Sequence, residues 1–121
     1  MSKKSDKIIK SLVQIIQDDN CLIKQANLPA NIRAFLMLDD TRFIIVLNCS
    51  LKRKITSLTH ELLHIYFNDI ERNSINLCEN KEKRAHYYTK YIKKHLTTSV
   101  KKLFLKYIKE SEIVWILKMI K

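Results

Sequence analysis

The chain of 121 residues contains no glycine and a single proline, Pro29. Loops that cradle phosphate groups need glycine, so the sequence excludes P-loop and dinucleotide-binding proteins. Cysteine is also scarce: Cys21, Cys49 and Cys78 are odd in number, widely spaced, and form no CxxC pair. This pattern argues against a disulfide framework and against a zinc ribbon, and it fits a reducing compartment.

Long apolar runs are missing as well. No apolar stretch approaches the roughly 20 residues that a membrane-spanning helix needs, and no signal-peptide core follows the charged segment 1–6. We therefore predict a cytoplasmic protein that does not enter a membrane. The length suits one hydrophobic core, which predicts a single domain over residues 1–121.

Positive charge is in excess, and this excess is unevenly distributed along the chain. The net charge is +11; residues 81–121 carry 12 Lys or Arg and 3 Asp or Glu, whereas residues 1–80 carry 11 and 9. Such asymmetry is seen with nucleic-acid partners, with acidic protein partners and with solvated helix faces, of which the last are the commonest.

The spacing of apolar residues predicts an α+β fold, with a small antiparallel sheet packed beside a helical bundle. The segment 39–41 between two apolar runs has the composition of a turn, so we predict a β-hairpin there. The predicted elements are a helix over 5–17, hairpin strands over 32–38 and 43–47, a helix over 51–67, a helix from 77 or 78 to 95, a helix that begins at 97–99 and continues to 108, and a last helix over 113–120.

An HExxH motif, His60-Glu61-Leu62-Leu63-His64, lies in the helix predicted over 51–67. Two histidines four positions apart share one face of a helix, where both imidazoles can bind the same metal ion. Glu61 points partly away from that face and can reach a water molecule in an open coordination position, as a general base must. The motif therefore predicts a Zn²⁺ metallopeptidase, against the alternative of two helix histidines that serve only surface contacts.

A catalytic zinc ion usually has three protein ligands and a water molecule, so a third ligand must come from elsewhere in the chain. Asp69 and Glu71 follow His64 too closely to turn back toward it. Glu82 lies 18 residues past His64, a distance that allows the chain to return past the HExxH helix. The full set of downstream candidates is Asp69, Glu71, Glu79, Glu82, His86 and His95.

Three stretches carry a family resemblance that covers about half the chain. They are the strand Ile44-Ile45-Val46-Leu47-Asn48, the helical segment Thr59-His60-Glu61-Leu62-Leu63-His64-Ile65, and the later Glu82-Lys83-Arg84-Ala85, a Glu-x-x-Ala pattern. In this order, residues 43–91 resemble the ImmA/IrrE-type metallopeptidases, which are common on phages and other bacterial mobile elements.

The resemblance implies an α+β fold and a gluzincin-like zinc site, with His60, His64 and Glu82 as the metal ligands. It implies that Glu61 is the catalytic base. Members of the family cleave transcriptional repressors, so the resemblance also implies a repressor-type protein as the substrate.

Two residues beyond Glu82 are further candidates for the catalytic machinery. His86 shares a helix face with Glu82, which suits a hydrogen bond to a ligand or to the developing oxyanion, although a site with His86 as the third ligand is also chemically sound. The hydroxyl of Tyr87 could stabilise the same oxyanion, whereas half-buried packing is the commoner role of such tyrosines.

Two functions from different classes are consistent with these residues. The first is a zinc endopeptidase that cleaves a regulatory protein. The alternative is an inactive metallopeptidase-fold binding module, whose basic helices from Lys81 onward bind an acidic protein or nucleic acid. The intact set His60, Glu61 and His64 favours the enzyme.

Overall fold

A computed structural model describes residues 3–69 and 79–114 of the chain. Within these ranges four helices and four strands form an α+β fold, which confirms the predicted fold class. In chain order the elements are α1 (Lys3–Gln17), β1 (Cys21–Ala26), β2 (Ala34–Asp39), β3 (Arg42–Asn48), α2 (Lys54–Tyr66), α3 (Glu79–Lys93), α4 (Thr98–Glu110) and β4 (Glu112–Val114).

The sheet has the strand order β2-β3-β1-β4 and is mixed. Strands β2 and β3 form the predicted antiparallel hairpin, and Asp40 in its turn has a φ of 58°, a left-handed conformation that Asp tolerates better than most residues. Strands β1 and β3 are parallel, and so are β1 and β4. The prediction of an antiparallel sheet therefore holds for the hairpin and misses the two parallel pairings.

Strand β1 was not expected, because Lys24 and Gln25 interrupt its apolar pattern. Gln25 is nevertheless buried, and its side-chain nitrogen donates to the carbonyl of Ile108 at 3.2 Å and to Ser111 Oγ at 3.0 Å. Its side-chain oxygen accepts from Lys54 Nζ at 2.6 Å. Residues that are distant in sequence thus satisfy the hydrogen-bonding groups of the buried Gln25 amide.

The last predicted helix, over 113–120, is wrong where the structure describes it. Residues 112–114 form strand β4 and pair in parallel with β1. Short apolar segments suit a strand as well as a helix, and here the free edge of β1 decides the outcome. Residues 115–120 of that prediction, including Trp115, lie outside the described residues, as does the predicted helix start at 77 or 78.

Helix α2, which carries the HExxH motif, lies at the centre of the fold. It packs against α1, α3 and α4 and against strands β2 and β3. Leu58, Leu62 and Leu63 are completely buried in the main core. Burial of each leucine contributes about 1.5–3 kcal/mol, so the helix is firmly anchored. No helix in the described ranges is long and apolar enough to span a membrane.

The C-terminal end of α2 turns Asp69 back toward His64 of the HExxH motif. Asn68 has a φ of 54°, and its N–H bonds the carbonyl of Ile65 at 3.0 Å. The N–H of Asp69 bonds the carbonyl of His64 at 2.9 Å. These two bonds form a Schellman motif, which reverses the chain and turns Asp69 back toward the helix.

Asn48 orders the loop that leads into β2. Its side-chain nitrogen donates to the carbonyls of Leu28 at 3.2 Å, Pro29 at 3.3 Å and Ile32 at 2.9 Å. Its side-chain oxygen accepts from the N–H and the hydroxyl of Ser50. Asn48 is itself buried, so this network holds the start of β2 against the end of β3.

Candidate metal centre

The helical spacing of the motif brings its two imidazoles together. The Nε2 atoms of His60 and His64 are 3.2 Å apart, with the ring planes nearly perpendicular at 80°. His64 is fully buried, whereas the side chain of His60 is 24% exposed and faces the cleft described below. With Glu61, the two histidines offer ligand atoms that all lie within 4.8 Å of one another.

Helix α3 places Glu82 beside the Nε2 atoms of His60 and His64. Its Oε1 lies 2.6 Å from His64 Nε2, and its Oε2 lies 3.4 Å from His60 Nε2. The structure therefore brings together the three residues that the sequence analysis named as metal ligands. Because α2 and α3 pack side by side, this meeting results from the helix packing.

Asp69 engages the other ring nitrogen of His64. Its Oδ2 lies 3.0 Å from His64 Nδ1, and both side chains are almost completely buried. Arg84 pairs with Oδ1 of Asp69, and its guanidinium lies over the ring of Phe67, 4.4 Å from the centroid. The pairing with Arg84 identifies the Asp69 group as a carboxylate. His64 Nδ1 therefore carries the hydrogen and donates it to Asp69.

This tautomer leaves the lone pair of a neutral His64 on Nε2, directed at the carboxylate of Glu82. A lone pair and a carboxylate oxygen 2.6 Å apart repel each other unless a cation lies between them. A metal ion shared by His60, His64 and Glu82 would supply this positive charge, with the two atoms about 3.3–3.4 Å apart instead of 2.6 Å.

The separation of the nitrogen atoms fits the metal. Two atoms that each lie about 2.0–2.1 Å from one tetrahedral zinc are about 3.3–3.4 Å apart. The two Nε2 atoms are 3.2 Å apart, and His60 Nε2 is 3.4 Å from Glu82 Oε2. A set of two imidazoles and one carboxylate is also a donor set that zinc accepts. The residue types and these two separations fit the ion, whereas His64 Nε2 and Glu82 Oε1, which are 2.6 Å apart, would have to separate to share it.

Glu61 is buried beside this group and is only 5% exposed. Its Oε2 has no hydrogen-bond partner in the part of the chain that the structure describes. Burial, together with the charge of Glu82, raises the pKa of Glu61 to about 8. An unpartnered buried carboxyl oxygen is costly, and a water molecule at this position would satisfy it.

The pKa of His60 is lowered, chiefly by burial and next by the neighbouring His64, while Glu82 acts in the opposite direction. Burial and the histidine pair therefore favour the neutral imidazole. A neutral imidazole is the form that binds a metal ion, so the environment of His60 suits a ligand.

A cleft of about 990 Å³ opens above His60, Glu61 and Glu82. One wall consists of the strand residues 34–36 of β2, and the others come from residues 51–57 and from α3. The partly exposed His60 and the carboxyl group of Glu61 both line this cleft.

His86 and Tyr87 stand apart from the ligand group. His86 is exposed and lines the cleft one turn beyond Glu82. Tyr87 is 65% exposed, borders a shallow depression beside His60 and Glu82, and packs edge-on against Tyr88 with a centroid distance of 5.2 Å. Among the described residues no hydrogen bond joins either side chain to the group, so their catalytic roles stay predictions.

Two other candidates for the third ligand, His95 and Asp69, contact other groups in the structure. His95 follows the C-terminal end of α3 and packs against Tyr91, with a distance of 5.4 Å between the ring centroids. Asp69 faces Nδ1 of His64, on the side of the ring away from Glu82. Glu71 lies outside the described residues.

Sequence reasoning missed the roles of Asp69 and Arg84. Asp69 was set aside because it was expected to follow His64 too closely to turn back toward it. That expectation is wrong, since its Oδ2 lies 3.0 Å from His64 Nδ1, on the side of the ring away from Glu82. The available signal was Asn68, a residue type that accepts the left-handed conformation at the end of a helix. Such a turn predicts that the next side chain returns toward the last helical turn.

Comparisons of the chain with models of protein families, with curated proteins and with solved structures find no match.

Proposed function

We propose that this protein is a zinc-dependent endopeptidase that hydrolyses a peptide bond held in the cleft above His60. One observation carries the proposal: His60, His64 and Glu82 converge on one point, and beside them the buried Glu61 has an oxygen without a partner among the described residues. A binding module would have no use for an unpartnered carboxylate at the floor of its cleft.

In this mechanism His60, His64 and Glu82 would hold the metal ion. The chemistry that zinc would supply there is Lewis acidity toward the scissile carbonyl and the attacking water. Glu61 orients the attacking water with its free oxygen, accepts the proton and passes it to the departing amine. Asp69 keeps the hydrogen of His64 on Nδ1, so that Nε2 stays available as a ligand.

The substrate would bind as an extended segment along β2. This strand is the edge of the described sheet, since only β3 pairs with it, and its residues 34–36 line the cleft. An edge strand offers unpaired backbone N–H and C=O groups, to which a peptide can add as a further strand. Such binding would lay the peptide backbone beside His60 and Glu61.

The identity of the substrate rests on the family resemblance alone, which indicates a transcriptional repressor or another regulatory protein. The cytoplasm is the place where such a substrate would be met, and the sparse, widely spaced cysteines fit that compartment.

Metal content and proteolysis together test the proposal. Protein purified without added metal should contain about one zinc per chain, and it should create new N-termini in a denatured protein mixture analysed by mass spectrometry. Glu61→Gln should keep the zinc and create none, because glutamine is nearly isosteric but cannot accept the proton. A chain that does not bind zinc even when it is supplied, or a Glu61→Gln variant with wild-type activity, would contradict the proposal.

A further inference from the structure

The mouth of the cleft carries a concentration of positive charge that the hydrolytic chemistry does not use. Five of the side chains that line the cleft are Lys or Arg, and all five are exposed: Arg33, Lys52, Arg53, Lys90 and Lys93. Within the described ranges none of them forms an ion pair with a carboxylate. Among the described residues that line the cleft, the only acidic ones are Glu61 and Glu82, which belong to the candidate metal centre.

These cations come from separate elements that converge on one cleft. Arg33 precedes β2, Lys52 and Arg53 precede α2, and Lys90 and Lys93 lie on the face of α3 that also carries His86. A solvated face on a single helix would not produce this arrangement. Like charges that face one another across a cleft repel, and an anionic ligand removes that cost.

We infer that the cleft selects peptide segments with acidic residues near the bond that is cut, so that the substrate class is an acidic stretch of protein. This inference rests on the proposed function, and it adds specificity to that same site. Cationic side chains around a cleft raise the local concentration of an acidic segment and fix its register.

The spacing along the helices places the acidic residues of the substrate. Arg53 lies seven residues before His60, and Lys90 lies eight residues after Glu82. Lys90 lies in α3 and Arg53 directly precedes α2, so at a rise of about 1.5 Å per residue each cation is roughly 10–12 Å from the metal ligand along the helix axis. An extended peptide covers about 3.3 Å per residue, so the preferred acidic side chains lie about three to four residues from the cleaved bond.

The composition of the cleft favours a peptide over a nucleic acid. Single-stranded nucleic acid is bound by exposed aromatic side chains on which bases stack. Among the described residues that line the cleft, the only phenylalanine, tyrosine or tryptophan is Phe35, which is 8% exposed and packs in a small core cluster with Val46. The exposed Tyr87 borders the neighbouring depression, outside the cleft lining. The edge of β2 offers backbone groups that match a peptide instead.

Binding to the Glu61→Gln variant tests the inference without requiring turnover. The probes are a fluorescein-labelled peptide of about a dozen residues with four Glu or Asp, and its counterpart with Gln and Asn at those positions. In fluorescence anisotropy the acidic peptide should bind at least about tenfold more tightly at low salt, and the difference should shrink as salt is added. Lys90→Glu with Lys93→Glu should abolish the preference.

The matched control is Lys101→Glu with Lys102→Glu, which makes the same change in net charge on exposed positions of α4 away from the cleft. It should keep most of the preference. Equal binding of both peptides, or an equal loss in the control, would overturn the inference. So would a single-stranded oligonucleotide of equal charge that binds more tightly through the same two lysines. Selective binding by Glu61→Gln, together with no hydrolysis of the acidic peptide by the wild-type protein, would count against the proposed function alone.

Discussion

At the scale of the residue, His64 is the side chain on which the centre depends most, because both of its ring nitrogens are engaged. Nδ1 faces Asp69 at 3.0 Å, and Nε2 faces Glu82 at 2.6 Å. A carboxylate behind an imidazole fixes the tautomer and the orientation of the ring and makes the ring a stronger ligand. Asp69 is therefore a positioning residue, and Arg84 in turn holds Asp69 in place.

Removal of Asp69 should weaken the metal site while the three ligands remain. We expect Asp69→Ala to lower zinc affinity about 10- to 100-fold, because the ring of His64 loses its acceptor. Competition with a chromogenic chelator measures this, with circular dichroism as a check on folding. Asp19→Ala, at an exposed position, is the control and should bind zinc as the wild type does. Unchanged affinity in Asp69→Ala would show that the carboxylate does not position the ligand.

At the scale of the element, α3 decides which side chain completes the centre. Glu82 and His86 are four residues apart and share a face, so the spacing leaves both open as the third ligand. Glu82 contacts both imidazoles, whereas His86 is exposed along the cleft. The packing of α3 against α2 thus favours Glu82, in agreement with the Glu-x-x-Ala pattern.

Two matched substitutions on α3 separate the two candidates. Glu82→Ala should weaken zinc binding strongly, because the site loses a ligand and the negative charge that offsets the ion. His86→Ala should leave zinc bound and lower turnover, since a hydrogen bond to the reacting group is lost. Zinc content and peptidase rate are measured on both variants. If zinc is lost from His86→Ala and kept in Glu82→Ala, the assignment is reversed.

The elements that were predictable from sequence are those whose signal is local. The HExxH helix and the hairpin around Asp40 follow from periodicity and turn chemistry within a few residues. Strand β1 was hidden because Gln25 is satisfied only by Ile108 and Ser111, more than 80 residues along the chain. The role of Asp69 and the cationic mouth of the cleft also depend on packing between elements, which no local pattern records.

At the scale of the whole molecule, the proposed metal centre would join two elements that are distant in sequence. His60 and His64 lie on α2 and Glu82 lies on α3, with residues 70–78 between the two described ranges. An ion bound by both helices holds them together only while the chain is folded. Metal binding is therefore linked to folding, and any affinity for the native site appears as an increase in the free energy of unfolding.

We therefore expect zinc to raise the thermal midpoint of the protein. At a free zinc concentration of 100 times Kd the stabilisation is about 2.7 kcal/mol, which corresponds to roughly 10 °C for a domain of this size. Differential scanning calorimetry of metal-free protein, with and without zinc, measures the shift. His60→Ala is the control and should show little shift, because one ligand is missing while the buried leucines of α2 are untouched. An equal shift in His60→Ala would place the stabilising ion elsewhere, and the absence of a shift in the wild type would show that the two helices do not share a metal.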